Sequence, residues 1–203
     1  MNKEIINFPH WLQDKFIILV GLMGAGKTKL GRIVATSMGL PFIDTDTEIE
    51  KAAGYSIREI FEQFGEQYFR DGERRVIERI LSKEPTVLAT GGGAYMDEKT
   101  RNSMKKHGIV IWLRADLDLL VQRTKYRVGR PLLNTGDTKE ILSRLIEERY
   151  PTYGKAELIF DVKDEPAPRT AQRLIELLKD YSPREKVIRV AIPPTNVKRC
   201  NGS

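Results

Sequence analysis

The sequence predicts an α/β protein, a parallel β-sheet with helices packed on both faces. Three observations predict it. Five short apolar runs alternate with helix-like stretches along 203 residues. The runs are apolar almost throughout, as strands buried on both faces are. The first run ends in the spacing G-x-x-x-x-G-K-T, from Gly21 to Thr28, which joins a strand to a helix in phosphate-binding proteins.

The elements follow in order. Phe16–Val20 is the first strand, and the helix after the loop spans 27–38 with Leu30, Ile33, Val34 and Met38 on its apolar side. Phe42–Asp44 is the second strand. Helices are expected at 56–63 and 65–82, the latter burying Phe69, Val76, Ile77, Ile80 and Leu81. Val87–Ala89 is the third strand, followed by a helix at 97–107. Ile109–Leu113 is the fourth strand, followed by helices at 116–126 and 137–149. Leu158–Asp161 is the fifth strand, and a helix at 167–180 closes the domain. Gly39, Gly108 and Gly136 stand where stops or turns are expected. Gly72 falls inside a helix at a cost of about 1 kcal/mol relative to Ala, and nothing in the sequence accounts for it. Ligands of such sheets bind beyond the carboxyl ends of the strands, so Gly21, Asp44 and Gly91 should converge.

Composition narrows the class. With 40% hydrophobic and 31% charged residues the chain reads as soluble and globular. No apolar run approaches the roughly 20 residues of a membrane span, and Met1 to Lys15 has no secretory core. Cys200 is the only cysteine, which excludes an internal disulfide framework and fits the cytoplasm. The net charge is +6, but residues 182–203 hold five basic residues and one acid. The expected organisation is an extension at 1–15, a domain at 16–181 with a lid at 124–136, and a basic tail at 182–203. A monomer is expected, with no nucleic-acid or membrane partner.

Several segments carry chemistry. Glycines at 21, 24 and 26 let successive N–H groups face one anion, beside the positive end of a helix. Gly24, Ala25, Gly26, Lys27, Thr28 and Lys29 are therefore candidate phosphate-binding residues, with the Thr28 hydroxyl on Mg²⁺. Asp44 and Asp46 share one side of an extended segment and suit Mg²⁺-bound water and a substrate hydroxyl respectively. Helix capping by Thr45 or Asp46 is the plain alternative. Arg70 can pair with Glu66 and Glu73 along one helix face. Gly91, Gly92 and Gly93 permit close approach to a ligand at the end of a strand. Arg123, Lys125, Arg127 and Arg130 form a basic loop with no acid from Leu119 to Gly136. That loop suits either phosphate handling or RNA. As a lid it would be mobile without nucleotide and close over bound phosphates, bringing Arg130 to the transferring group. Arg149 precedes Tyr150-Pro151 at a helix end, where a favourable dipole interaction is the plain alternative.

Taken together, Gly-Leu-Met-Gly-Ala-Gly-Lys-Thr, Asp44-Thr-Asp46, Gly65-Glu-x-x-Phe-Arg70, Thr90-Gly-Gly-Gly93, Arg130-Pro-Leu-Leu133 and Arg149-x-Pro-x-Tyr153 closely resemble the shikimate kinase family. The resemblance covers residues 16 to about 180. It implies the nucleoside-monophosphate-kinase type of P-loop fold, a three-layer α/β/α arrangement with strand order 2-3-1-4-5. It also implies ATP-dependent phosphorylation of the shikimate 3-hydroxyl, in the route to chorismate and aromatic amino acids. By position, Gly24 to Thr28 would cradle phosphates, Thr28 and Asp44 would serve Mg²⁺, and Asp46 with the glycine loop would bind shikimate hydroxyls. Arg70 and Arg149 would hold its carboxylate, Arg130 would be the lid arginine, and Arg123 would lie near the adenine. Arginine forks suit a planar carboxylate. The stretch Lys163 to Pro168 departs from the family pattern, and no adenine contact is assigned there. Two other readings are a kinase for another polyol acid such as gluconate and a non-catalytic nucleotide- or RNA-binding module. Arg70, Arg149 and Asp46 in one pattern favour the first reading over both.

Overall fold

A computed structural model describes residues 14–125 and 137–181, together with Pro9 and Leu12. The expected lid at 124–136 falls largely outside the described residues, as does the tail at 182–203. The chain order is β1 (Phe16–Val20), α1 (Lys27–Met38), β2 (Phe42–Asp44), α2 (Thr45–Ala53), α3 (Ile57–Leu81), β3 (Val87–Ala89), a 3-10 turn at Ala94–Met96, α4 (Glu98–His107), β4 (Gly108–Arg114), α5 (Leu117–Thr124), α6 (Thr138–Tyr153), β5 (Leu158–Asp161) and α7 (Ala167–Asp180). All neighbouring strands are parallel, in the order β2-β3-β1-β4-β5. The expected sheet and strand order are therefore present.

β1 lies at the centre, and each of its five residues is buried. Ile17 pairs with Val87 on one side and Ile109 on the other. Burying such aliphatic side chains contributes about 1.5–3 kcal/mol each. α1 packs against α7 and β3, and α3 packs against α4. Leu12 is fully buried in the same core, so part of the expected extension packs against the domain.

Two expectations need correction. Asp44 and Asp46 do not share an extended segment. The strand stops at Asp44, and Asp46 lies in the first turn of α2, a helix absent from the expected list. The cap of that helix is Asp44 itself, whose carboxylate accepts from the Asp46 N–H. Gly108 ends α4 as expected, its N–H donating to the Met104 carbonyl, and is at once the extended first residue of β4, where a side chain would strike the Phe16 carbonyl. Finally, α6 continues past Arg149 and through Pro151 to Tyr153. Buried Tyr153 and half-buried Tyr150 hold that last turn against the core, which outweighs the hydrogen bond lost at Pro151.

The long helix α3 is broken at Gly65, whose φ of 82° and ψ of 174° are non-helical. Its two parts match the expected helices at 56–63 and 65–82. A capping box at Ser56 and Glu59 starts the first part. A side chain at Gly72 would meet nothing within 4 Å, so packing gives no account of that glycine.

Candidate active site

The carboxyl ends of β1, β2 and β3 converge, as the sheet topology requires. The loop after β1 turns through Gly24 at φ 84° and Gly26 at φ 97°, conformations open to glycine at little cost. Gly26 is the N-cap of α1 and offers no side chain to its first turn, which also contains no acid. Lys27, Thr28 and Lys29 stand there instead. Two lysines at the positive end of a helix are unfavourable by themselves. The arrangement makes physical sense around an anion. The small cavity in front of this turn is lined by Gly24, Gly26, Lys27, Thr28, Lys29, Asp44, Asp46, Thr90 and Gly92. Ala25 is buried and packs into the core behind the loop.

Two contacts organise this end. The Lys27 ammonium donates to the Gly21 and Leu22 carbonyls at 2.7 and 3.0 Å. The Thr28 hydroxyl donates to Asp44 Oδ2 at 2.7 Å, while Asp44 Oδ1 caps α2. Asp44 thus serves the helix and faces Thr28 at once. Arg123 donates to the Lys163 carbonyl at 3.1 Å. This brings the irregular stretch after β5 alongside the phosphate loop, since Arg123 Nη1 also lies 4.0 Å from where a Gly26 side chain would begin.

A larger cavity of about 470 Å³ adjoins the first and shares Asp46 and Gly92 with it. That volume suits a small-molecule ligand. Arg70 and Arg149 enter it from α3 and α6, and Gly91, Gly92 and Gly93 form one wall. Phe61, Phe69, Ile57 and Met23 supply apolar surface. Arg70 donates to Glu73 at 2.8 Å and to Glu66 at 3.1 Å. Burial works against its charge, but attraction to Glu73 and these hydrogen bonds hold its pKa above the usual value. A side chain at Gly93 would overlap the Arg70 guanidinium. Arg149 donates to the Gly92 carbonyl at 3.1 Å. It therefore reaches the glycine wall rather than serving the end of its helix.

The structure brings together Lys27, Thr28, Asp44, Asp46, Arg70, the three glycines and Arg149. Arg130 lies outside the described residues. Sequence reasoning gave Glu73 only as a helix-face partner of Arg70, yet it is 3% exposed. Its Oε1 has no hydrogen-bond partner among the described residues. Burial pushes its carboxyl above the usual range, and attraction to Arg70 only partly offsets this. A side chain at Gly91 would meet Glu73 Oε1 at 2.7 Å and Asp46 Oδ1 at 2.9 Å, so both carboxylates flank that glycine. The signal was present. Glu73 stands four residues after Phe69 and three before Val76, inside the buried stripe of α3. Thr45 was also missed as a site support. Its hydroxyl accepts from the Gly91 N–H at 3.0 Å and ties α2 to the glycine wall.

A phosphate-binding loop on the central strand, next to an arginine-lined pocket for a small acceptor, defines a P-loop phosphotransferase. The comparisons give the particular family. The shikimate kinase family model matches residues 23–179. The chain is 51% identical over 172 residues to a shikimate kinase of Paramagnetospirillum magneticum, covering 85% of this chain and 88% of that protein. It is 49% identical over 186 residues to a shikimate kinase of Brucella canis, covering 92% and 93%. A solved shikimate kinase from Acinetobacter baumannii, in complex with shikimate, superposes with a TM-score of 0.79 at 38% identity. It covers 83% of this chain and 94% of that one. The chain belongs to the shikimate kinase family. Among the described residues no helix is long and apolar enough to cross a membrane.

Proposed function

We infer that this chain transfers the γ-phosphoryl group of ATP to the 3-hydroxyl of shikimate, giving shikimate 3-phosphate and ADP, within the route to chorismate and aromatic amino acids. The observation that carries the reading is the sharing of Asp46 and Gly92 by the two cavities. A hydroxyl held at that boundary faces the end of the nucleotide's phosphate chain. Family membership and the ligand of the Acinetobacter enzyme support the choice of acceptor.

In this reading the acceptor's carboxylate lies between Arg70 and Arg149, whose planar forks match it. Its hydroxyls meet Asp46 and the glycine wall at Gly91, Gly92 and Gly93. Asp46 orients the reacting hydroxyl in line with the γ-phosphate. With a loose transition state it need only orient that hydroxyl. Gly24 to Lys29 hold the phosphates, and Lys27 follows the charge as it moves to the leaving group. Arg123 lies on the nucleoside side. Arg130, outside the described residues, would stabilise the transferring group as the lid arginine.

Mg²⁺ fits the donor set beside the loop. Thr28 and Asp44 offer a hydroxyl and a carboxylate, both hard oxygens, and Mg²⁺ takes few protein ligands when phosphates are present. Thr28 would hold the ion directly and Asp44 through water. When bound, the ion neutralises charge on the β- and γ-phosphate oxygens. Residues 16–181 form the catalytic domain in this reading, in a cytoplasmic monomer.

The test is ADP release with shikimate, gluconate and other small polyol acids at equal concentration. Turnover with shikimate at least about tenfold faster in kcat/KM than with any other acid is expected. A preference for gluconate would reject the acceptor. ATP-independent RNA binding without turnover would reject the enzyme.

A further inference from the structure

One carbonyl in the acceptor wall is gripped twice. The Gly92 oxygen accepts from Arg149 Nη1 at 3.1 Å and also from the Tyr153 hydroxyl. Arg149 and Tyr153 are four residues apart on α6, so their side chains rise from one face. Tyr153 is fully buried. Its ring lies nearly parallel to Tyr95, with centroids 6.3 Å apart, and to Trp112 at 5.9 Å. Those contacts hold the ring whether or not it carries a hydroxyl. The hydroxyl has one acceptor, and that acceptor belongs to the cavity wall.

The consequence passes through the peptide plane. In a trans peptide the N–H of Gly93 points opposite to the carbonyl of Gly92. Pinning the carbonyl towards α6 therefore turns the Gly93 N–H away from α6. Neither the Gly92 nor the Gly93 N–H donates to a protein acceptor among the described residues. Both glycines line the larger cavity. The close fit of Arg70 against Gly93 means that the plane of this loop also sets where the Arg70 fork lies. Burial raises the Tyr153 pKa far above that of a free phenol, against the pull of Arg149.

We infer that Tyr153 is a positioning residue for the acceptor: through the Gly92 carbonyl, its hydroxyl holds the glycine wall and Arg149 in the arrangement that receives the acceptor's oxygens. The inference rests on reading the larger cavity as the shikimate site. It adds a group that touches neither substrate.

Tyr153→Phe removes one oxygen and keeps the ring stack. Tyr150→Phe is the matched control. Tyr150 lies on the same helical turn, but its hydroxyl donates to the Ala115 carbonyl, away from the cavity. The readouts are KM for each substrate, kcat, shikimate affinity by calorimetry without nucleotide, and Tm. For Tyr153→Phe, shikimate KM and Kd should rise about tenfold, the scale of one net hydrogen bond, with ATP KM changed less than about twofold. Tyr150→Phe should lower Tm by a similar amount and leave shikimate KM within about twofold. In the Tyr153→Phe background, Arg149→Lys should cost less than it does alone, since both residues act on one carbonyl. Wild-type turnover with an unchanged shikimate KM in Tyr153→Phe would overturn the positioning role and leave the proposed function standing. Equal losses for both substrates, or equal effects of both tyrosine variants, would assign the hydroxyl to stability alone. A wild-type protein that binds no shikimate would overturn both readings.

Discussion

The two ends of the site are built differently. The phosphate end is largely backbone, one short loop between β1 and α1 in which glycines aim N–H groups at a point. The acceptor end is largely side chain, collected from α2, α3, the loop after β3, and α6. With Met23 from the loop after β1, its residues run from Met23 to Tyr153 along the chain. A local backbone device fixes where an anion goes and tolerates many partners. A set of long-range side chains fixes which small molecule is accepted, and it depends on every element that carries a member.

The largest expected effect tests whether the phosphate end works alone. Lys27→Ala should lower kcat by at least about 10²–10³-fold, the scale of removing one aligned donor from a developing charge. Lys27 is only half-buried, so circular dichroism and Tm should remain close to wild type. Near-normal kcat in a folded variant would break the assignment.

A smaller and one-sided effect should follow at the other end. Arg70→Lys keeps the charge but loses the fork. Shikimate binding should weaken about 10- to 100-fold, as expected for lost charged hydrogen bonds, while ATP affinity stays the same. Calorimetry with each ligand separately reads the difference. Equal weakening of both ligands would mean that the two ends are not independent.

The smallest effect concerns stability. The Glu73 carboxyl is held above its ordinary 4.5, so the folded state binds this proton more tightly than the unfolded chain does. Its contribution is fully present below pH 4.5 and is lost as pH rises through the raised value. Unfolding of Glu73→Gln and wild type should therefore be compared across that range. Wild type should lose stability relative to the variant with rising pH. Parallel curves would show that Arg70 cancels the cost of burial.

The same division explains what could be read from the sequence. Gly21 to Thr28, the buried strands and the glycine wall are contiguous, and their spacing speaks for itself. α2 stood only as the capping alternative at Thr45 or Asp46 because Thr45, Asp46 and Thr47 are weak helix formers, and because its true cap, Asp44, is also the last strand residue. The extent of α6 escaped because Pro151 reads as a stop, while the packing of Tyr150 and Tyr153 that overrides it comes from Trp112 and Tyr95, far away in the chain. The pairing of Glu73 with Arg70 was legible from their i, i+3 spacing, but not its burial beside Gly91, and Tyr153 acts through the Gly92 carbonyl, which no local pattern reveals. Arg70 and Arg149 were legible only as motif members. The local chemistry of Arg70 equally suited a solvated helix face, and that of Arg149 a dipole interaction at a helix end.

The position of β1 has a kinetic consequence. It is hydrogen-bonded on both sides and fully buried, whereas β2 is a three-residue edge strand with each residue half-buried. Amides of β1 should exchange with solvent only through global unfolding, while those of β2 and the adjoining α2 should exchange through cheaper local openings. The part of the molecule that selects the acceptor can then detach and reseat many times within the lifetime of one intact phosphate cradle.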